Sequence, residues 1–257
     1  MTDTSSRCLG RLPTPPEERA HNFRMATYMP AELPAPPAAW NLSHLAPAWP
    51  VYANDRIGDC TCAAAAHMLE VWSAQVDGAP RLVEDSDVLA LYQTQGYRPG
   101  DPSTDRGATL LHVLRAWRKR GLAGDRILAF AEVDVRSEQE VKLGAWIFSG
   151  LYCGVALPET ARQQTGPDGL WDVTPDQSPA AAPGSWGGHC VNVVDYDYGG
   201  LTVITWGNLQ RVSWAFWSAY FDEAYVIIPS DDRRLNGRAL DNGFNLAQLW
   251  ADIGRLH

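Results

Sequence analysis

Residues 54–72 read NDRIGDCTCAAAAHMLEVW. A turn rich in Asn, Asp and Gly gives way abruptly to an alanine-rich apolar run, the pattern of a helix opening after a polar loop. Asp59 stands at the N-cap position, and the run predicts a helix from about Asp59 to Gln75. Two cysteines, Cys60 and Cys62, fall in its first turn. A helix N-terminus carries roughly half a positive charge and unpaired N–H groups. A thiol placed there has its thiolate favoured, and the same N–H groups can receive a developing oxyanion. Cys60 therefore suits a nucleophile. Cys62 lies about 200° further round the helix and points elsewhere.

A single cysteine at a helix start more often serves as a small hydrophobe, and a nucleophile also needs a base. His67 is on the same helix face but roughly 10 Å along the axis, too far for a hydrogen bond. His112 sits among Leu111, Val113 and Leu114 in a second helical run. His189 differs. It follows Gly187-Gly188 and opens the strand-like stretch HCVNVV, so its ring can face a cleft while Cys190 faces the other side.

Composition narrows the partners. The chain has 257 residues, 46% of them hydrophobic, and a net charge of -9. It is long enough for a substantial core. An acidic balance with no basic stripe argues against nucleic acid and anionic membrane as partners. The run Arg115-Ala116-Trp117-Arg118-Lys119-Arg120 reads as a solvated helix face. Five cysteines form no small-domain disulfide pattern, and no apolar stretch is of signal-peptide or membrane-spanning type. A reducing, cytoplasmic setting is the expectation, with a virion or another exported particle as the alternative.

Along the chain, residues 1–50 are rich in Pro and Ala and lack periodicity, which predicts an extended arm or surface wrap whose Trp40 and Trp49 need burial. Residues 51–230 supply helices first, over 59–75, 86–95 and the run ATLLHVLRAWRKRG. Strands and one further helix follow from 127 onward. GGHCVNVVDYD and LTVITWGN alternate around Tyr198-Gly199-Gly200, a hairpin signal. Residues 231–257 read as a tail with one short helix. Helices followed by antiparallel strands predict an α+β fold.

This combination resembles the papain-like cysteine peptidases, as a divergent bacterial or phage-type member. That family opens its central helix with the nucleophilic Cys, starts a distant strand with the His and carries an Asn on the following strand. Asn54, six residues before Cys60, falls where the family has its oxyanion-hole Gln, and Gly58 falls on a family glycine. TDRGATLLHVLRAWRKRG resembles the Gly-bearing substrate-side loop and the helix after it. The resemblance covers about residues 51–230 and implies a central helix packed on an antiparallel sheet or half-barrel. It also implies a Cys-His-Asn site acting on peptide or amide bonds without a cofactor, with Gly107 and Gly188 bordering the substrate. Three departures stand out: Asn54 is shorter than Gln, Thr61 replaces the usual Trp, and Ile204-Thr205-Trp206-Gly207-Asn208 does not match Asn-Ser-Trp-Gly.

The third member of the site is read from hairpin register. A loop centred on Tyr198-Gly199 sets His189 opposite Asn208, which could hold the imidazole tautomer. Asp195 and Asp197 are the alternatives, on the histidine's own strand. A second reading is a catalytically weak or inactive papain-like module whose arm wraps a protein partner. In a third, the arm is a propeptide covering the cleft. Cys60, Cys62, His67, His189 and Cys190 do not have the spacing of a zinc site.

Overall fold

A computed structural model describes residues 7–175, 178–230 and 237–255. The first six residues of the arm and residues 231–236 and 256–257 of the tail lie outside the described residues, as do 176–177 in the long loop.

The described chain begins with a two-residue strand β1 (Arg11–Leu12), a one-turn helix α1 (Pro16–Arg19) and a short strand β2 (Trp40–Asn41). The helical layer follows: α2 (Cys60–Asp77), α3 (Asp85–Gln93), a two-residue strand β3 (Ala108–Thr109) and α4 (Leu110–Arg120). Next come β4 (Ile127–Glu132), α5 (Glu138–Phe148), β5 (Leu151–Leu157) and β6 (Leu170–Trp171). The remainder is β7 (Gly187–Asp197), β8 (Gly200–Thr205), β9 (Asn208–Ser213), α6 (Trp214–Tyr220), β10 (Phe221–Pro229), α7 (Arg238–Asp241) and α8 (Leu246–Gly254). The α+β expectation holds. The main sheet runs β4-β10-β5-β7-β8-β9-β6, with β2 added beside β7. It is antiparallel except for the β6–β9 pair. No helix among the described residues is long and apolar enough to cross a membrane.

Period-two alternation places a core on each face of this sheet. Tyr152, Cys190, Tyr225 and Ile227 pack under α2 and α4. Leu151, Cys153, Val155, Val191, Val193 and Val226 pack against α5 and α6 on the other side. The alanine run of α2 permits the first of these layers, since small side chains let the helix lie close to β7 while it stays buried from Cys60 to Ala74. Two of these helices have defined ends. Ser137 caps α5 by accepting from the Glu140 N–H, and Gly78 ends α2 in the left-handed region.

The boundary drawn at residue 50 is not a physical one among the described residues. Met25, Tyr28 and Met29 of the arm are buried in the sheet's core. Trp49 and Leu42 close a third cluster with Val71, Val194 and Ile204. Asp195 accepts the Leu42 and Ser43 N–H groups, which pins the arm to β7. The tail packs on the arm in turn. The Tyr28 hydroxyl donates to Asp252, and Phe244 meets Tyr28 and Phe148 edge-on or tilted.

Candidate active site

The helix start and the histidine strand meet. Cys60 is the first residue of α2, and its sulfur accepts from the backbone N–H of Cys190, the residue directly after His189. The Tyr152 hydroxyl on β5 donates to the Thr61 carbonyl at 2.7 Å and fixes the helix start on the sheet. Asp59 occupies the N-cap position, but its side chain makes no capping hydrogen bond. Its carboxyl group is instead buried beside the Asn54 amide, and burial pushes it up to about 8.

His189 is buried and held on two sides. Its ring stacks on Trp206 with centroids 4.0 Å apart, and Nε2 contacts the Thr205 hydroxyl at 2.8 Å. Nδ1 is buried with no hydrogen-bond partner among the described residues, which leaves one ring nitrogen uncommitted.

Thr205 thus stands where Asn208 was expected. The register explains the difference. β7 and β8 pair Asn192 with Ile204, then shift at a bulge before pairing Asp195 with Thr202. The chain also reverses before it reaches the histidine. Trp206 at φ 43° and Gly207 at φ 72° form a two-residue turn, and Thr205 pairs with Asn208 across it. Asn208 is exposed and donates back to the Trp206 carbonyl. Asp195 is taken up by the arm, and Asp197 pairs with Arg211. The Thr-Trp-Gly-Asn turn was the signal available in the sequence, because Gly at the second of two positive-φ positions marks a tight hairpin.

Asn54 is buried, and its amide donates to the Ile57 carbonyl at 3.1 Å rather than facing open space. His67 is a core residue, accepting or donating at the Pro50 carbonyl and packed against Tyr52 and Trp49. Among the described residues, no group of three or more His, Cys, Asp or Glu side chains is placed to hold a metal ion.

The cleft is filled from within, by the N-terminal arm. Residues 8–12 lie across it and end in β1. β1 pairs in parallel with β3, and the Ala108 N–H donates to the Gly10 carbonyl at 2.8 Å. Gly107 and Gly188 border this strand, and both are glycine for lack of space. A Cβ on Gly107 would fall 1.9 Å from the Gly10 oxygen, and one on Gly188 would fall 2.2 Å from the Arg11 oxygen. The Gly10 N–H points at the Cys60 sulfur, so the arm offers the thiol a donor rather than a carbonyl carbon. On one side of the site, the Trp206 indole donates to the Cys8 carbonyl and the Cys8 N–H to the Asn54 carbonyl. On the other, Arg11 is buried against Asp222 and Glu223.

This burial reverses the electrostatics expected of a helix-start thiol. Burial pushes Cys60 up to about 12, and the Cys190 and Gly10 N–H groups and the Arg11 charge offset it only in part. Burial likewise holds His189 down at about 3. The two groups are neutral in this state.

The buried titratable groups set a testable pH dependence. Asp59 and Glu70 hold their protons in the folded chain up to about 8, well above their ordinary values of 3.8 and 4.5. The folded state therefore binds more protons in that window, and stability falls as pH rises through it. His189 and His67 act in the opposite sense. They are held to about 3 and about 4 against an ordinary 6.5, so stability falls as pH drops below 6.5. Above 6.5 only the carboxyls contribute. The melting temperature is expected to fall from pH 6.5 to 8, and to fall less steeply in Asp59→Asn. A flat wild-type profile over that range contradicts the assignment.

With this geometry in view, the fold is that of the papain-like cysteine proteases. Xylellain, a cysteine protease from Xylella fastidiosa, superposes with a TM-score of 0.64 over 90% of this chain and 99% of its own, at 15% identity. The digestive procathepsin L 3 of Tenebrio molitor larval midgut matches with a TM-score of 0.52 at 13% identity, over 86% of this chain and 76% of its own. The ragweed pollen allergen Amb a 11, a cysteine protease in its proform, gives 0.52 at 15%, over 78% and 69%. No protein-family model matches the sequence, and no curated protein does.

Proposed function

We propose that this chain is a papain-like thiol hydrolase that cleaves peptide or amide bonds, described here in a latent state closed by its own N-terminal arm. The observation that carries the reading is the placement of Gly10 and Arg11 over Cys60, beside a histidine clamped by Thr205 and Trp206. Two of the similar solved structures are named as precursor forms, which agrees with an arm that covers the cleft.

In the opened state the Cys60 sulfur gains water and returns toward an ordinary thiol value, while His189 regains its basicity. The proton passes from sulfur to the uncommitted ring nitrogen, and the thiolate attacks the scissile carbonyl carbon. The helix-start N–H of Cys60 receives the oxyanion, and the Asn54 amide is the second donor once it leaves Ile57. His189 then gives its proton to the leaving amine, and water hydrolyses the thioester. Thr205 is a positioning residue that fixes the ring through Nε2. Thr205→Val should cost about 1–3 kcal/mol of that positioning, roughly 5- to 150-fold in hydrolysis. Thr205→Ser should retain most of the rate.

The alternative is a binding module without turnover. It is favoured by the Asn54 amide being turned to Ile57 and by Thr205 in place of an Asn partner. Fluorogenic peptide amides separate the two. Hydrolysis by an Arg11→Glu chain that disappears in Arg11→Glu/Cys60→Ser supports the hydrolase. No hydrolysis by a chain whose Cys60 is freely alkylated identifies the binding module.

A further inference from the structure

The arm residue that lies beside the thiol is an arginine, and the place it occupies is a formed pocket. Its guanidinium donates through Nη1 to Asp222 at 2.9 Å and through Nη2 to Glu223 at 2.8 Å. Asp222 is partly exposed at the mouth, while the Glu223 side chain is fully buried. The walls come from three neighbouring strands. Glu223 on β10 is in register with Gly154 on β5, and Gly188 lies on β7 beside His189. A Cβ on Gly154 would come within 2.8 Å of the Arg11 Cζ and Nε, so the guanidinium lies flat where a side chain would otherwise be.

Two of the groups that hold Glu223 belong to the arm: Arg11 and the Thr14 hydroxyl, at 2.6 Å. Among the described residues, the sheet itself supplies only the Tyr225 hydroxyl, at 2.8 Å. When the segment carrying Arg11 and Thr14 leaves, a buried carboxylate loses its cation and keeps one hydrogen bond, a costly state that a cationic side chain relieves. A planar fork with several donors meets the two carboxylates better than a point charge does. Resting on the hydrolase reading above, we infer that the Glu223 pocket is the specificity pocket of this site and takes an arginine side chain of the peptide substrate, with lysine a weaker second. Arg11 occupies in the latent chain the place of that substrate residue.

The test uses the full-length Arg11→Glu chain, whose arm is expelled by three like charges. It is labelled with peptidyl acyloxymethyl ketones carrying arginine, lysine, leucine or glutamate, at the residue next to the ketone or at the one before it. At one of these two positions the arginine probe should label Cys60 at least about tenfold faster than leucine, with glutamate slowest. In Arg11→Glu/Glu223→Gln that ratio should fall toward one. The first comparison needs no change at position 223, so it stands whether or not the double variant folds. Leucine labelling as fast as arginine at both positions overturns the pocket alone. Failure of every peptide probe, with Cys60 still alkylated by iodoacetamide, overturns the hydrolase reading and the pocket with it.

Discussion

Arg11→Glu should speed iodoacetamide alkylation of Cys60 by two to three orders of magnitude at neutral pH. In the native chain Arg11 forms a buried ion pair with Glu223 and a second contact with Asp222. Removing one partner of a buried pair costs about 3–5 kcal/mol, because the remaining charge is left without compensation. That cost falls on the closed state alone, since an open arm has no such pair to lose. At about 1.4 kcal/mol per factor of ten, the open population rises by roughly two to three and a half orders of magnitude. The newly introduced carboxylate adds repulsion. Arg11→Ala should act in the same direction with a smaller effect, and Arg11→Lys should stay closest to wild type. Mass spectrometry of the modified cysteine distinguishes Cys60 from Cys8, a thiol near the site that is only partly buried. An unchanged Cys60 rate in Arg11→Glu would mean that the arm does not control access to the sulfur.

His189→Ala in the opened chain should lower kcat/KM for a peptide amide by on the order of 10³–10⁴. Two steps depend on the ring: taking the thiol proton and delivering it to the leaving amine. The second is the more demanding for an amide, whose nitrogen is a poor leaving group until protonated. A thioester or activated aryl ester should therefore be affected less than an amide, and this contrast separates loss of a general acid from loss of structure. The stack on Trp206 gives the ring a packing role as well. Near-ultraviolet circular dichroism and the melting temperature of the variant belong with the kinetics.

The sequence made the scaffold readable because its signals were local. The alanine-rich run after Asp59 gave α2, and the alternation around Tyr198-Gly199 gave β7 and β8. Cys60 and His189 stood out for the same reason, each at the first turn or first residues of a regular element. What stayed hidden depended on register and on contacts distant in sequence. Extending β8 through Trp206 placed Asn208 opposite the histidine, whereas a turn at Trp206-Gly207 ends the strand at Thr205. The bulge between Val193 and Asp195 moved the pairing by a further residue. Nothing near Arg11 in the chain announces that it will meet Glu223 more than two hundred residues later. A proline-rich segment without periodicity gives no face from which to infer burial, yet Met25 and Tyr28 end in the core. The helix-start argument for an acidic thiol assumed an open cleft. It fails here because burial of the thiol outweighs the helix terminus.

The most direct test of the pairing between Cys60 and His189 is the pH profile of Cys60 alkylation in Arg11→Glu, with and without His189→Ala. A thiolate held by an imidazolium reacts well below the ordinary thiol range, so the opened chain should show a plateau of reactivity near pH 5–7 that His189→Ala abolishes, leaving one titration near 8.5. A single titration near 8.5 in both proteins would contradict the account, because sulfur and ring would then titrate independently.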